Sequence, residues 1–370
     1  MLTTQYTDIL AQIQKIDPIA YGKSRNFLNG KVTQLSPYIS RGVISTKQIV
    51  ISLLNRGFTF EQCERFFQQL SWREYFQRVA QHQNKLHKQW VKFPQSNAKF
   101  TDIPSAVLNH QTGITAIDQS IHNLYQNGMM HNHTRMYVSS VVCNIAKTAW
   151  QLPSKWMYYH LLDADYASNF LSWQWVCGSF SSKLYVANQE NINKYSGSND
   201  KQTFLDVEYE TFENMPIPEI LNHRTSITLE TKLPTNQPLK IIENSPIYVY
   251  NYYNLDPIWN QSGNQNNVLL IEPSHFSEFP ISQNNFDFML KLAQNIPNVQ
   301  VFVGEFHELK QTVGQHHSFV YKEHPLFAHY EGQKHEREWV FPEVSNQYGS
   351  FFKFWQACMK NKKHLNKIHQ

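Results

Sequence analysis

Cysteine is scarce in this sequence, and its cysteines are never clustered. The 370 residues contain four of them, Cys63, Cys143, Cys177 and Cys358, and no C-x-x-C pair. This spacing gives no support for a zinc site, an iron–sulfur cluster or a thioredoxin-like redox site. The sequence therefore predicts four buried, reduced thiols.

Long apolar segments and glycine-rich nucleotide motifs are also lacking. No apolar stretch approaches the roughly 20 residues that a membrane-spanning helix requires. The first eight residues do not combine a basic region with an apolar run, as a secretory signal would. Neither G-x-G-x-x-G nor a P-loop occurs. We therefore expect a soluble, cytoplasmic protein that has no membrane partner.

Net charge is small. Lys and Arg number 33 against 29 Asp and Glu, which gives a formal charge of +4 and a pI of about 8.6. This balance permits nucleic-acid binding but does not establish it, because an electrostatic footprint needs basic residues clustered on one face.

Histidine is frequent, and one group of histidines lies near the carboxyl end. Its members are His316, His317, His324, His329 and His335. They do not form the helical spacings H-x-x-x-H or H-E-x-x-H that present two imidazoles to one metal ion. The sequence therefore predicts packed or solvated histidines and no metal site.

Three kinds of pattern follow one another along the chain. From about residue 44 to 175 apolar residues recur at helical spacing, with a break expected at Pro153 before a helix over 155–162. From 178 to 244 the sequence is polar and irregular, and no motif with dedicated chemistry occurs in 196–244. After 245, short β-branched runs alternate with helical ones, as in a parallel α/β domain.

These patterns predict a multidomain α + α/β protein. Residues 1–195 form a helical domain, 196–244 an irregular connector, and 245–370 a small α/β domain of unknown role. The predicted strands are 247–250, 268–271, 299–303 and 318–321. Helices are expected over 286–294 and 351–363.

Residues 161–175 carry the most specific chemistry. Asp163, Asp165 and Asn169 fall within seven residues, and Trp173 and Trp175 follow at once. Two carboxylates and an amide on about one and a half helical turns can contact several edges of a flat, polar ligand. Two indoles add stacking surface and one-electron redox chemistry. The segment therefore predicts a bound aromatic cofactor.

The segment 161–175 closely resembles the flavin-binding core of the DNA photolyase and cryptochrome family. Four further ordered blocks extend the resemblance over about residues 15–185. The first includes Tyr21, Arg25 and the segment 33–42. The second is Leu-Ser-Trp-Arg-Glu-Tyr-Phe at 70–76, and the third is Thr-Gly-x-x-x-x-Asp at 112–118. The fourth, Gly-Met-Met-His-Asn-His-Thr-Arg-Met at 128–136, is similar to the family's Gly-Trp-Met-His-Asn-x-x-Arg-Met.

The resemblance implies FAD as the cofactor and a set of residues that contact it. In the family, Asp163 pairs with Arg135, Asn169 faces the flavin N5, and Arg73 contacts the cofactor region or forms an ion pair. The segment 33–36 matches the diphosphate-binding turn. The implied cofactor residues are Tyr21, Thr33, Gln34, Leu35, Ser36, Arg73, Asn132, Arg135, Asp163, Asp165 and Asn169.

The resemblance also implies an electron-transfer chain and a substrate pocket. Trp173 and Trp150 match the first two tryptophans of the chain, although packing alone would also explain Trp150. The third position falls near Asn97, where Trp90, Trp156, Tyr158 or Tyr159 could substitute. Pocket positions match Trp72, Trp175, Met136 and Gln69.

Several positions depart from the photolyase pattern. Gln69 replaces a glutamate that hydrogen-bonds the lesion, and Met129 replaces a tryptophan. His133 and Asn188 stand where some photolyases have phosphate-binding arginines, whereas Arg25 is retained. Typical photolyases also carry an α/β antenna domain before the helical one, whereas here the α/β pattern follows it.

The leading prediction is a flavoprotein that repairs cyclobutane pyrimidine dimers in UV-damaged DNA by light-driven electron transfer, a carbon–carbon lyase. The alternative is a cryptochrome-like blue-light receptor that signals to a protein partner through its C-terminal domain. A third possibility is a flavin-binding scaffold without photochemistry.

Overall fold

The computed structural model describes residues 2–83, 85–259, 263, 265–314 and 316–362. The chain forms two compact units that alternate along the sequence. The first comprises Met1–Ile19, Thr33–His82 and Glu230–Gln370, and the second Ala20–Val32 and Gln83–Leu229. These units group residues differently from the predicted domains 1–195, 196–244 and 245–370, and that division stays a prediction.

Five helices come first along the chain. They are α1 (Tyr6–Gln14), α2 (Pro18–Ser24), α3 (Ser36–Ser40), α4 (Thr46–Asn55) and α5 (Phe60–His82). Helix α4 begins with a capping box, in which the Ser45 hydroxyl accepts from the Gln48 amide and the Gln48 side chain accepts from the Ser45 amide.

The second unit is mainly helical. It contains α6 (Ser105–Leu108), α7 (Thr115–Asn127), α8 (Asn132–Ser140), α9 (Gln151–His160), α10 (Tyr166–Val176) and α11 (Gln189–Ser196). A π-helical turn, Val141–Ile145, continues α8, and 3₁₀ turns occupy Tyr209–Glu213 and Glu219–Leu221. Strands β1 (Ile103–Pro104) and β2 (Arg224–Thr225) pair antiparallel.

The helix break expected at Pro153 occurs, but it lies between Ile145 and Gln151. Helix α9 begins at Gln151 and passes through Pro153. Proline is tolerated in the first turn of a helix because its missing N–H would have no intrahelical acceptor there.

The first unit contains a five-stranded parallel sheet. Its strands are β3 (Ile247–Tyr250), β4 (Asn266–Ile271), β5 (Gln300–Val303), β6 (Phe319–Lys322) and β7 (Gln333–His335), in the order β5-β4-β3-β6-β7. The helices that accompany it are α12 (Pro273–Glu278), α13 (Gln283–Ala293), α14 (Phe306–Val313) and α15 (Phe351–Lys360), with a 3₁₀ turn at Pro325–Phe327.

The four predicted strands and the helices at 286–294 and 351–363 are confirmed, although Lys363 lies outside the described residues. The predicted fold class, helices together with a small parallel α/β domain, is therefore confirmed. Strand β4 is buried along its whole length, and its last four residues, 268–271, form the apolar run that is typical of a strand covered on both faces. Strand β7 was missed because its sequence, Gln-Lys-His, is polar and two of its three residues are exposed.

All four cysteines are free and buried, as predicted. Burial raises the pKa of Cys63 to about 11 and the pKa of Cys143 well above its usual value, so both thiols stay protonated near neutral pH. Among the described residues, no helix combines the length and the apolar character needed to cross a membrane.

Candidate functional site

Gly128 brings two of the matched segments together in the second unit. It ends α7 with a left-handed backbone, φ 65°. Its carbonyl oxygen accepts a hydrogen bond from the Leu162 amide at 2.8 Å. A Cβ at this position would lie 2.6 Å from Leu162 Cγ. Glycine thus permits both the chain reversal and the close approach that places the start of α8 beside residues 161–163.

Arg135 and Asp163 form the central ion pair of this region. Arg135 Nη2 donates to both Asp163 carboxylate oxygens, at 3.0 and 2.9 Å, and Arg135 Nε donates to the Met130 carbonyl at 2.9 Å. The Asp163 side chain is only 5% exposed, so its charge depends on the arginine for compensation. The pair predicted from the resemblance therefore forms, whereas its role toward a flavin stays a prediction.

Asp165 and Asn169 are both fixed by backbone groups. Asp165 is the N-cap of α10, and its Oδ1 accepts from the Ser168 amide at 2.7 Å. One turn later, the Asn169 Nδ2 donates to the Ser154 carbonyl at 2.9 Å. The cap places Asp163 just before the helix and Asn169 on its first turns. The carboxylates of Asp163 and Asp165 and the amide of Asn169 thus all lie at the amino-terminal end of α10.

His131 caps the helix that carries Arg135. Its Nδ1 accepts from the His133 amide at 3.2 Å, and the Arg25 backbone also hydrogen-bonds the ring. Burial, together with the nearby His133 and Arg135, lowers the pKa of His131 to about 4. The imidazole is therefore neutral near pH 7, and the exposed Asn132 follows it at the first helical position.

The predicted diphosphate turn lies in the first unit. Thr33 Oγ1 accepts from the Leu35 amide at 3.4 Å, and Gln34 adopts a left-handed backbone, φ 54°, just before α3 begins at Ser36. The four predicted residues 33–36 therefore form one turn at a helix start. Arg73, on α5, donates from Nη1 to Ser40 Oγ at 3.3 Å.

Tyr21, the remaining cofactor candidate, lies on α2 and is half-buried. Burial raises the pKa of the Tyr21 phenol, and the nearby Arg25 opposes this shift. Tyr21 is therefore a neutral hydroxyl near pH 7.

The two tryptophans of the predicted electron-transfer chain are buried in the second unit. Trp173 is 1% exposed, and its indole N–H is buried without a hydrogen-bond partner. Trp150, also 1% exposed, meets Phe170 edge-on with 6.5 Å between ring centroids. Phe170 in turn stacks on Tyr158, at 5.7 Å and 18°.

Tyr158, one of the four candidates for the third member of the electron-transfer chain, therefore contacts the same ring, Phe170, as Trp150 does. The remaining three candidates for the third position have different surroundings. Trp156 donates to the Tyr125 hydroxyl at 3.1 Å, Trp90 is 53% exposed, and Tyr159 packs edge-on against His160.

The four predicted pocket residues divide between the units. Gln69 and Trp72 are half-buried, one turn apart on α5 in the first unit. In the second unit, the half-buried Met136 lies on α8, and Trp175 on α10 contacts the Tyr185 ring at 5.8 Å. The role of all four toward a substrate stays a prediction.

A contact that sequence inspection missed covers one face of Trp72. Phe351, the first residue of α15, stacks on the indole with 3.8 Å between centroids and 11° between planes. The segment before α15 also contacts α5 through its main chain. The Val340 and Phe341 amides donate to the Glu74 carboxylate of α5, at 2.9 and 3.0 Å. The only sequence signal for this surface was the high density of aromatic residues in 348–355.

The two positions that depart from phosphate-binding arginines are packing residues. His133 Nδ1 lies 2.8 Å from the Asn26 carbonyl, its ring contacts Tyr137 and Tyr195, and burial lowers its pKa. Asn188 is buried and caps α11. Neither supplies positive charge.

The Thr112–Asp118 motif has a structural role. Asp118 Oδ1 accepts from the amide and the hydroxyl of Thr112 at 2.8 and 2.7 Å, and Oδ2 accepts from the Gly113 amide at 3.0 Å. These bonds fix the turn before α7.

Residues 66–222 match the family described as the FAD-binding domain of DNA photolyase. Over these residues the chain is therefore similar to the DNA photolyase and cryptochrome family. The deoxyribodipyrimidine photo-lyase of Agrobacterium fabrum is 30% identical over 179 residues, which cover 45% of this chain and 37% of that protein. Cryptochrome-1 of Sinapis alba is 27% identical over 178 residues, 44% of this chain and 35% of that protein.

A solved class III photolyase from Agrobacterium tumefaciens is also similar. It is 27% identical with a TM-score of 0.47, covering 52% of this chain and 42% of that one. The chain thus spans less than half the length of these relatives. The family match supports FAD as the cofactor of this photolyase-type domain.

The residues of the second unit fit such a cofactor. They offer a carboxylate already neutralised by Arg135, a second carboxylate at a helix cap and an amide anchored to Ser154. The buried N–H of Trp173, which has no hydrogen-bond partner, adds a polar atom with unused hydrogen-bonding capacity.

Proposed function

We propose that the protein is an FAD-dependent photolyase that repairs cyclobutane pyrimidine dimers in DNA, a carbon–carbon lyase. The observation that carries the proposal is the Arg135–Asp163 pair, held beside Asp165 and Asn169 in the segment that matches the photolyase FAD-binding domain. Carboxylate, amide and guanidinium groups that lie together around the start of α10 suit the polar edge of an isoalloxazine ring.

When bound, FAD supplies a group that absorbs blue light and transfers one electron. The protein's residues hold and orient it: the Asp163 carboxylate and the Asn169 amide would meet the ring edge, with Arg135 fixing Asp163. The turn at 33–36, Tyr21, Arg73 and Asn132 complete the proposed set of cofactor contacts. Trp173 and Trp150 would supply electrons from the protein interior.

For the substrate, Trp72 and Trp175 offer ring faces for bases taken out of the duplex, and Gln69 and Met136 complete the proposed pocket. Because His133 and Asn188 supply no charge, this protein would neutralise fewer DNA phosphates than photolyases that have arginines at these two positions. Arg25 and the exposed Lys85, Lys88 and Lys92 supply the remaining positive charge. We therefore propose weak, salt-sensitive DNA binding, and we keep the cytoplasm as the proposed location.

One observation favours the second candidate, a blue-light receptor. One of the two faces of the Trp72 ring is stacked on Phe351 of α15 and is therefore closed to a flipped base. A pocket residue bound to a C-terminal helix is suited to reporting a change in the pocket to a protein partner, through the region 245–370.

The two functions are separated by a repair assay on the purified, reduced protein. A thymine-dimer oligonucleotide is illuminated with blue light, and the recovery of thymine absorbance is followed against a dark control. Repair in the light supports the photolyase. Retention of FAD and its photoreduction without repair would overturn it in favour of the receptor. Loss of photoreduction on replacing Trp150 and Trp173 by Phe would exclude the third possibility, a flavin scaffold without photochemistry.

A further inference from the structure

Three side chains from two distant parts of the sequence converge in the first unit, at the amino-terminal ends of strands in the parallel sheet. Glu243 precedes β3, while His316 and His317 precede β6. The register pairs Ile247 with Phe319, so the starts of these two strands lie side by side. We propose that Glu243, His316 and His317 bind one divalent transition-metal ion.

The distances suit a single ion. Glu243 Oε2 lies 3.4 Å from His316 Nε2 and 3.8 Å from His317 Nε2, and one ligand atom from each residue falls within 4.8 Å of the others. A tetrahedral zinc ion about 2.0–2.1 Å from its ligands places neighbouring ligand atoms roughly 3.3 Å apart. Two of the three pairs are already near that spacing.

His317 is oriented as a metal ligand. Its side chain is 1% exposed, and its Nδ1 lies 3.1 Å from the Ser245 carbonyl, an acceptor, so Nδ1 carries the proton. Its Nε2 faces Glu243 Oε2 at 3.8 Å, and this buried atom has no hydrogen-bond partner. Metal-bound histidines typically donate their other ring N–H to such a carbonyl, which fixes the tautomer and the ring.

The ligand set selects among metals. Two imidazoles and one carboxylate suit zinc, nickel or copper, whereas magnesium and calcium prefer oxygen ligands alone. His316 and Glu243 are 62% and 73% exposed, so solvent reaches the site and water can complete the coordination. The ion would join the segment before β3 to the turn before β6 and thereby stabilise the amino-terminal ends of these two strands.

The other histidines of the carboxyl-terminal group have different partners. His324 stacks on Tyr253 at 4.1 Å, His329 Nε2 lies 2.8 Å from Glu272, and His335 accepts from the Trp259 indole at 3.1 Å. The prediction of no metal site rested on helical spacing. That spacing could not include Glu243, which lies 73 residues before His316.

The test is a zinc titration of the full chain after removal of metals with a chelator. Isothermal titration calorimetry should show one zinc ion bound per chain and no comparable binding of magnesium. Glu243→Gln and His317→Ala should each weaken zinc affinity by at least about tenfold. His307→Ala, which removes an exposed histidine of α14, is the matched control and should leave the affinity unchanged.

A thermal readout keeps the test independent of flavin binding and of any folding defect in His317→Ala. Zinc should raise the Tm of the parent chain and of His307→Ala, but not that of Glu243→Gln, whose altered side chain is exposed. Unchanged zinc affinity in Glu243→Gln and His317→Ala would overturn the site. Equal loss in His307→Ala would do the same, since binding would then be a general property of surface histidines.

Discussion

At the scale of single residues, burial governs two features of the candidate site, the compensated charge of Asp163 and the neutral state of His131. Asp163 is almost inaccessible to water and is compensated by one guanidinium, and His131 is held neutral at the start of the helix that carries that guanidinium. Both can be tested without any assumption about the cofactor, because each predicts a change in the free energy of unfolding.

Arg135→Ala should destabilise the protein by roughly 2–4 kcal/mol at pH 7, because it leaves the Asp163 carboxylate buried and unpaired. The double variant Arg135→Ala/Asp163→Asn should recover part of this loss, since it removes the uncompensated charge. Urea denaturation of the parent, single and double variants measures the effect. A double variant as unstable as the sum of both single changes would contradict the argument.

His131 should make stability depend on pH between about 6.5 and 4. In the unfolded chain an imidazole takes up a proton near pH 6.5, whereas the folded His131 resists protonation until about pH 4. The unfolded state therefore binds more protons in this window, and stability falls as pH falls through it. His131→Asn keeps an N-cap residue but cannot titrate there. Its loss of stability between pH 7 and 5 should be smaller than that of the parent, by about 1–2 kcal/mol.

At the scale of secondary-structure elements, helix ends and helix contacts position the site residues. Gly128 ends α7 against Leu162, Asp165 begins α10, and α15 stacks Phe351 on Trp72 of α5. The first two lie in short motifs that the sequence displays directly. The third joins residues 279 positions apart in sequence, and no local pattern specifies such a contact.

Gly128→Ala should cost more stability than Gly197→Ala. Both glycines end a helix with a left-handed backbone, φ 65° and 77°, so both variants incur similar backbone strain. Only at Gly128 would the new methyl group meet a side chain, 2.6 Å from Leu162 Cγ, whereas nothing lies within 4 Å at Gly197. The difference should be about 1–3 kcal/mol by denaturant unfolding. Equal costs would show that Leu162 moves aside freely.

Phe351→Ala should destabilise the chain by about 3–4 kcal/mol, since Phe351 is 2% exposed and stacks on Trp72. Phe352→Ala is the control: the next residue of the same helix, 66% exposed, should change stability by less than about 0.5 kcal/mol. Iodide should quench tryptophan fluorescence more strongly in Phe351→Ala. Unchanged quenching would mean that Trp72 stays covered without its partner.

At the scale of the whole molecule, the types of the elements were predictable from local sequence, whereas contacts between distant segments were not. The helical period before residue 175 and the apolar runs after 245 correspond to observed helices and strands, because burial imposes those periods locally. The Arg135–Asp163 pair was predictable because both residues lie in motifs. Neither the Trp72–Phe351 contact nor the approach of Glu243 to His316 was predictable. The first depends on how the chain returns to the first unit, and the second on the parallel pairing of β3 with β6.

The flavin content of purified protein tests the central claim most directly. Asp163→Asn should lose most of the bound FAD, measured as flavin absorbance per protein, because it removes the charge that pairs with Arg135 in the proposed site. Asp206→Asn makes the same chemical change on the exposed surface of the same unit and should retain FAD at the parent level. Circular dichroism confirms that both variants are folded. Full FAD retention by a folded Asp163→Asn would contradict the proposed site.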